Sequence, residues 1–134
     1  MSSINGDGKV FMMRKILIVD DSQVARRILK SCIQRAEDYA IHEAEDGAAG
    51  LEAYRNIRPD VTFLDLNMPR LDGLACLRKV REIDPSASVI ICTSEAAPGI
   101  TEEGIAAGAM EVIRKPPTRE TIERALAKVT TKVV

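Results

Sequence analysis

The sequence has little histidine and cysteine. His42 is the only histidine, and the three cysteines, Cys32, Cys76 and Cys92, are far apart and odd in number. No CxxC pair or Cys/His cluster is present, which argues against a zinc site and a disulfide framework. Buried thiols in a reducing cytoplasm are the expected state. With one His and no GxSxG, a Ser-His-Asp or Cys-His centre lacks its parts. There is no basic excess. The formal net charge is -1, so nothing recruits nucleic acid or an anionic membrane surface. Arg26-Arg27 and Arg78-Lys79 read as solvated helix faces. No apolar run approaches the roughly 20 residues of a membrane span, and the N-terminus has no secretory pattern. No repeat, low-complexity segment or GxGxxG after the first strand is found.

What is present suits one domain with one core. The chain has 134 residues, 46% apolar and 29% charged. Residues 1–12 are polar, glycine-containing and aperiodic, and read as a loose leader; 13–134 read as the single folded domain. Lys15 to Val19 and Ser88 to Cys92 are continuous apolar runs, the pattern of strands buried on both faces of a parallel sheet. Tyr39 to Ala44, Val61 to Leu64 and Met110 to Arg114 supply three more. Between them lie helical patterns. Ser22 is placed to cap the first, whose apolar face is Val24, Ala25, Ile28, Leu29, Cys32 and Ile33. Asp46-Gly47 opens a second, with Ala48, Leu51 and Tyr54 inward. Asp72-Gly73 opens a third, with Leu74, Leu77 and Val80 inward. Thr101 is placed to cap a short fourth, weakened by Gly104, and Thr118 caps the last, with Ile122, Ala125, Leu126 and Val129 inward. Five strands alternating with five helices predict an α/β fold with right-handed crossovers and a doubly wound parallel sheet.

The stretch from Val61 to Pro69 organises the chain. It delivers Asp65 to a strand end and then turns at Pro69. Alone, Asp65 serves equally well as a turn former or as a site. The other strand ends decide. The first ends in Asp20 and Asp21, the fourth in Thr93 and the fifth in Lys115, and in a parallel sheet all of these share one edge. Crowded carboxylates raise one another's pKa or need a cation, and an all-oxygen cluster suits Mg²⁺. Lys115 and Thr93 add an ammonium and a hydroxyl. Together they are equipment for receiving a phosphoryl group on a carboxylate.

Ile16 to Ser22, Glu45-Asp46-Gly47, Asp60 to Gly73, Thr93-Ser94, Gly108-Ala109 and Lys115-Pro116 resemble, in order, the receiver domain of two-component response regulators, in particular the stand-alone chemotaxis-type receivers. The resemblance spans roughly residues 14 to 130. It implies a flavodoxin-like sheet of order 2-1-3-4-5. It implies that Asp65 is the phosphoacceptor, that Asp21, Asp65 and the Asn67 backbone carbonyl bind Mg²⁺ directly, and that Asp20 does so through water. Thr93 would be the switch hydroxyl, and Lys115 would pair with Asp65 and then with the phosphoryl group. The implied donor is a sensor histidine kinase or phosphotransfer protein. The implied output is a protein target read through the fourth helix, fifth strand and fifth helix. A cytoplasmic monomer or weak dimer follows, with no enzymatic activity beyond its own Mg²⁺-dependent phosphorylation and dephosphorylation. Asn67 and Glu95 stand where the family tunes phosphoryl lifetime. One departure matters: the family usually has Tyr or Phe three residues before the lysine, and here the residue is Val112. Val112 keeps open a constitutive interaction module, with Asp65 unused in signalling. An aspartyl-nucleophile hydrolase is disfavoured, because it wants a second Asp at position 67.

Overall fold

The computed structural model describes residues 2–4, 10–12, 14–68, 71–94 and 98–132, with side chains placed from 14 to 129 within these ranges. Five strands form one parallel sheet: β1 (Arg14–Val19), β2 (Tyr39–Ala44), β3 (Val61–Leu64), β4 (Val89–Thr93) and β5 (Glu111–Arg114). Their order is β2-β1-β3-β4-β5, the doubly wound, flavodoxin-like order expected. The helices are α1 (Gln23–Ser31), α2 (Gly47–Ile57), α3 (Gly73–Ile83), α4 (Ile100–Ala106) and α5 (Arg119–Lys132).

The continuous apolar runs are explained by the two faces they serve. Leu17, Val19, Leu64, Val89 and Ile91 pack with Leu51, Tyr54, Leu77 and Val80 of α2 and α3. Ile16, Ile18, Phe63, Ile90 and Cys92 pack with Leu29 of α1 and Ile122, Leu126 and Val129 of α5. Alternate residues of each strand point to opposite layers, so neither position in the period can be polar without cost. Thr62 is the test of that rule. It is buried on β3, in register with Leu17 and Val89, and its Oγ1 finds no hydrogen-bond partner among the described residues. A buried hydroxyl left unpaired costs about 1–3 kcal/mol. Thr62→Val, which keeps the shape, is therefore expected to stabilise the fold by about 1 kcal/mol, read as a higher urea midpoint at unchanged slope.

The helix starts follow their caps. Ser22 Oγ accepts from Ala25 N–H at 3.1 Å, Asp46 from Ala49 at 2.7 Å and Asp72 from Ala75 at 2.9 Å. Thr118 Oγ1 likewise accepts from Thr121 N–H at 3.1 Å. The fourth helix departs from expectation. Thr101 does not cap it; the chain turns at Gly99 with φ 88° and no side-chain cap bond, and the helix begins at Ile100. Glycine fits because that backbone region is strained for other residues. Gly104 is buried, and a Cβ there would stand 2.6 Å from Ile91 Cδ1 and 3.2 Å from Val112 Cγ2. Its lack of a side chain lets α4 lie directly on β4 and β5.

Apart from the main sheet, Ser2–Ile4 run antiparallel to Val10–Met12. Two further expectations are corrected. On α1, Val24 and Ile28 are 61% and 41% exposed, so the buried stripe is narrower than the apolar periodicity suggests. Arg26, expected on a solvated face, turns inward and bonds to Glu43 of β2 and to the Asp20 carbonyl. All three cysteines are free and buried. No helix among the described residues is long and apolar enough to cross a membrane.

Candidate functional site

The sheet's pairing runs one residue past its strands and so brings the polar ends together. Asp20 N–H donates to the Ala44 carbonyl at 3.0 Å, Asp65 N–H to the Val19 carbonyl at 2.9 Å and Lys115 N–H to the Thr93 carbonyl at 2.9 Å. Parallel strands in register thus place Asp20, Asp65, Thr93 and Lys115 on one edge, and Asp21 follows in the β1–α1 turn. Asp20, Asp65 and Thr93 are buried, and Asp21 is exposed. One carboxylate oxygen from each of Asp20, Asp21 and Asp65 lies within 4.8 Å of the others.

Lys115 reaches this cluster half-buried. Its Nζ lies 2.6 Å from Asp20 Oδ2 and 3.6 Å from Asp65 Oδ1. The lysine expected to pair with Asp65 is therefore bonded more closely to Asp20. Burial opposes its charge, but the hydrogen bond to Asp20 and the negative charge of Asp65 outweigh that and raise its pKa. Asp20 is held further by Ser22 N–H, which donates to Oδ1 at 2.9 Å. Asp65 is shifted upward. Burial is the main cause; Lys115 and a backbone hydrogen bond from Asn67 pull it down, while Asp20 and Asp21 push it up. Among the described residues, three carboxylates face one ammonium, so this group carries excess negative charge in a partly desolvated place.

This arrangement fits a hard divalent cation. The available ligands are all oxygen, two of the carboxylates are buried, and repulsion between them has one lysine to offset it. Mg²⁺ prefers such ligands and retains waters on its open side, which the exposed Asp21 allows.

Around the acceptor, Leu66 and Met68 are buried while Asn67 is exposed. Pro69 and Glu95, singled out in the sequence, lie outside the described residues. Gly73, the first residue of α3, packs against the backbone of Asp65 and Leu66. A groove of about 310 Å³ opens beside the site, between α1 and the Lys115–Pro117 loop, with Ala25, Ile28 and Pro116 on its apolar wall. Arg26 was missed as a neighbour of the site. A capping-position turn followed by an arginine six residues after Asp20 was the one signal available, and it does not by itself separate an inward guanidinium from a solvated one.

Comparison with known proteins gives a consistent answer. The sequence model of the response regulator receiver domain family matches residues 16–127. The chain is 35% identical to the chemotaxis protein CheY of Listeria monocytogenes over 116 residues, covering 87% of this chain and 98% of that protein. The REC domain of AraT, a response regulator from Geobacillus stearothermophilus, superposes with a TM-score of 0.82 at 32% identity, covering 91% of this chain and 96% of that one. CheY of Borrelia burgdorferi, solved as a CheX-CheY-BeF3-Mg complex, superposes with a TM-score of 0.81 at 30% identity over 95% of each chain.

Proposed function

Because the chain belongs to the response regulator receiver domain family and is of the CheY type, we propose that it accepts a phosphoryl group on Asp65 and signals through protein contacts. Residues 13–134 form the receiver, with 1–12 preceding it as a separate leader. The donor is the phosphohistidine of a sensor kinase or phosphotransfer protein. The observation that carries this reading is the cluster of Asp20, Asp21 and Asp65 with Lys115 on one sheet edge.

In the transfer, a carboxylate oxygen of Asp65 attacks phosphorus, the O–P bond forms as the donor's N–P bond breaks, and the imidazole nitrogen leaves with the bonding pair. Asp21, Asp65 and the Asn67 carbonyl would hold Mg²⁺ directly and Asp20 would hold it through water, and the bound ion would supply positive charge for the phosphoryl oxygens. Lys115 exchanges its carboxylate partners for a phosphoryl oxygen, which its flexible stem permits. Thr93, at the end of β4, offers its hydroxyl to another. The apolar wall of the groove, with exposed Val24 and Ile28 on α1, supports approach of the donor from that side. The Borrelia relative, solved with beryllofluoride, magnesium and CheX, supports the same chemistry and a protein output here. We assign the output to α4, β5 and α5, the location to the cytoplasm, and the solution state to monomer or weak dimer.

Intact-mass spectrometry tests the assignment. Acetyl phosphate with Mg²⁺ adds one phosphoryl group to the wild type and none to Asp65→Asn or to the wild type in EDTA. Equal labelling of the variant would overturn it. A constitutive module remains a second reading, favoured by the packing of α4 on Val112 and Ile91. It predicts partner affinity unmoved by beryllofluoride.

A further inference from the structure

Arg26 lies on α1 but its side chain is only 13% exposed. Its Nε donates to Glu43 Oε1 at 2.8 Å, and its Nη1 donates to the backbone carbonyl of Asp20. Glu43 is itself fixed. It lies on β2, in register with Ile18 of β1, and also accepts from Lys30 Nζ at 2.8 Å. The Lys30 hydrogen bond, with that of Arg26, holds its carboxyl below the usual range. The guanidinium is thus anchored to the sheet at one end and grips the β1–α1 turn at the other.

The group it grips matters. The Asp20 carbonyl belongs to the peptide plane that joins Asp20 to Asp21, and that plane is rigid. Fixing the carbonyl fixes the direction in which the Asp21 Cα leaves. Asp20's own carboxylate has separate anchors in Ser22 N–H and Lys115. Asp21 is exposed in the turn, and Arg26 holds the peptide that carries it.

We propose that Arg26 is a positioning residue for the divalent cation: by holding the Asp20 carbonyl against Glu43, it aims the Asp21 carboxylate at Asp65. The inference rests on the functional reading above, which makes that cation Mg²⁺. Arginine suits the task because a planar fork can serve a carboxylate and a carbonyl at once, whereas a lysine offers a single point charge.

Positioning and simple charge predict opposite signs. A cation beside the acidic cluster repels Mg²⁺, so its removal should tighten binding if charge were its whole role. If it positions Asp21, removal weakens binding, as loss of a supporting partner behind a metal ligand typically does by about 10–100-fold. The experiment is isothermal calorimetry of Mg²⁺ with the full chain, for wild type, Arg26→Met, Arg26→Lys and Glu43→Gln, each checked for native far-ultraviolet dichroism. We expect a dissociation constant raised about tenfold in both Arg26 variants, and a smaller rise in Glu43→Gln. Binding by Arg26→Met as tight as wild type or tighter, or binding by Arg26→Lys equal to wild type, would overturn the proposal. Should Arg26→Met fail to fold, Arg26→Lys keeps the charge and the stem and carries the same two outcomes. A wild type that binds no Mg²⁺ would instead overturn the functional reading, so the two failures are distinct.

Discussion

Lys115→Met is expected to slow phosphorylation of Asp65 by acetyl phosphate about 100-fold, the loss typical of one preorganised donor to developing charge. It is also expected to destabilise the magnesium-free protein by about 3 kcal/mol at neutral pH, because removing one partner strands buried charge. Lys115 Nζ is the ammonium between Asp20 and Asp65, at 2.6 and 3.6 Å. Without it, the two buried carboxylates face each other across a poorly solvated gap. The pH dependence gives the sign. Asp65 is raised above its ordinary value of 3.8, chiefly by burial, so the folded protein binds that proton more tightly than the unfolded chain. Its contribution to stability is full below 3.8 and is lost as pH rises through the folded pKa. Lys115 is one of the influences lowering that pKa, so its removal widens the window and deepens the loss. Two remedies should restore stability to Lys115→Met: acidification, which neutralises Asp65, and Mg²⁺, which replaces the missing charge. Mg²⁺ should stabilise the wild type too, by about 1.4 kcal/mol at ten times its dissociation constant. That gain should fade as Asp65 protonates. Thermal melts with and without Mg²⁺ at neutral and acidic pH read all of this. A Lys115→Met variant with wild-type stability and labelling rate would remove Lys115 from the site.

Much of this was legible because it depends on period and order alone. Continuous apolar runs of strand length, separated by helical patterns, leave few foldings but a parallel sheet with two covered faces. Once the sheet is parallel, Asp20, Asp21, Asp65, Thr93 and Lys115 must share an edge, since each ends or follows a strand. What was not legible depends on distances between elements. Val24 and Ile28 fall on the apolar side of α1, but periodicity does not say how wide a stripe the sheet covers, and here Leu29, Cys32 and Ile33 suffice. Arg26 looked solvated because its carboxylate partner, Glu43, is on another element. The closer bond of Lys115 to Asp20 was not legible because Asp20 and Asp65 each follow one of a register-paired couple, Val19 and Leu64, so strand ends alone do not tell the two carboxylates apart. The self-pairing of the leader rests on two three-residue strands, too short to show alternation. Gly104 read as a weakness of α4 because propensity is local; its burial against Ile91 and Val112 is tertiary.

Gly73→Ala is expected to destabilise the protein by about 2–3 kcal/mol, although alanine favours helices. The reason lies in what α3 is packed against. A Cβ at Gly73 would stand 2.3 Å from the Asp65 carbonyl oxygen and 2.5 Å from Leu66 Cα. These are backbone atoms, so no rotamer change relieves the overlap, and overpacking of this kind typically costs about 1–3 kcal/mol. The helix gain of at most about 1 kcal/mol is smaller, and it shrinks at the first helical position, where Gly73 N–H bonds to the Leu66 carbonyl at 3.1 Å rather than within the helix. Either α3 retreats, or the segment carrying Asp65, Leu66 and Asn67 moves. The second response displaces the acceptor carboxylate and the Asn67 carbonyl together, so Mg²⁺ binding and labelling should weaken along with stability. Gly99→Ala separates this from a general glycine effect. Gly99 has φ 88° but, among the described residues beyond its chain neighbours, no atom within 4 Å of the added Cβ, so its replacement costs about 1–2 kcal/mol of backbone strain and leaves the cation site alone. Urea midpoints and Mg²⁺ titrations on the two variants make the comparison. Equal Mg²⁺ affinity in Gly73→Ala and wild type would mean that α3 yields first and that the acceptor loop is held by the sheet rather than by the helix behind it.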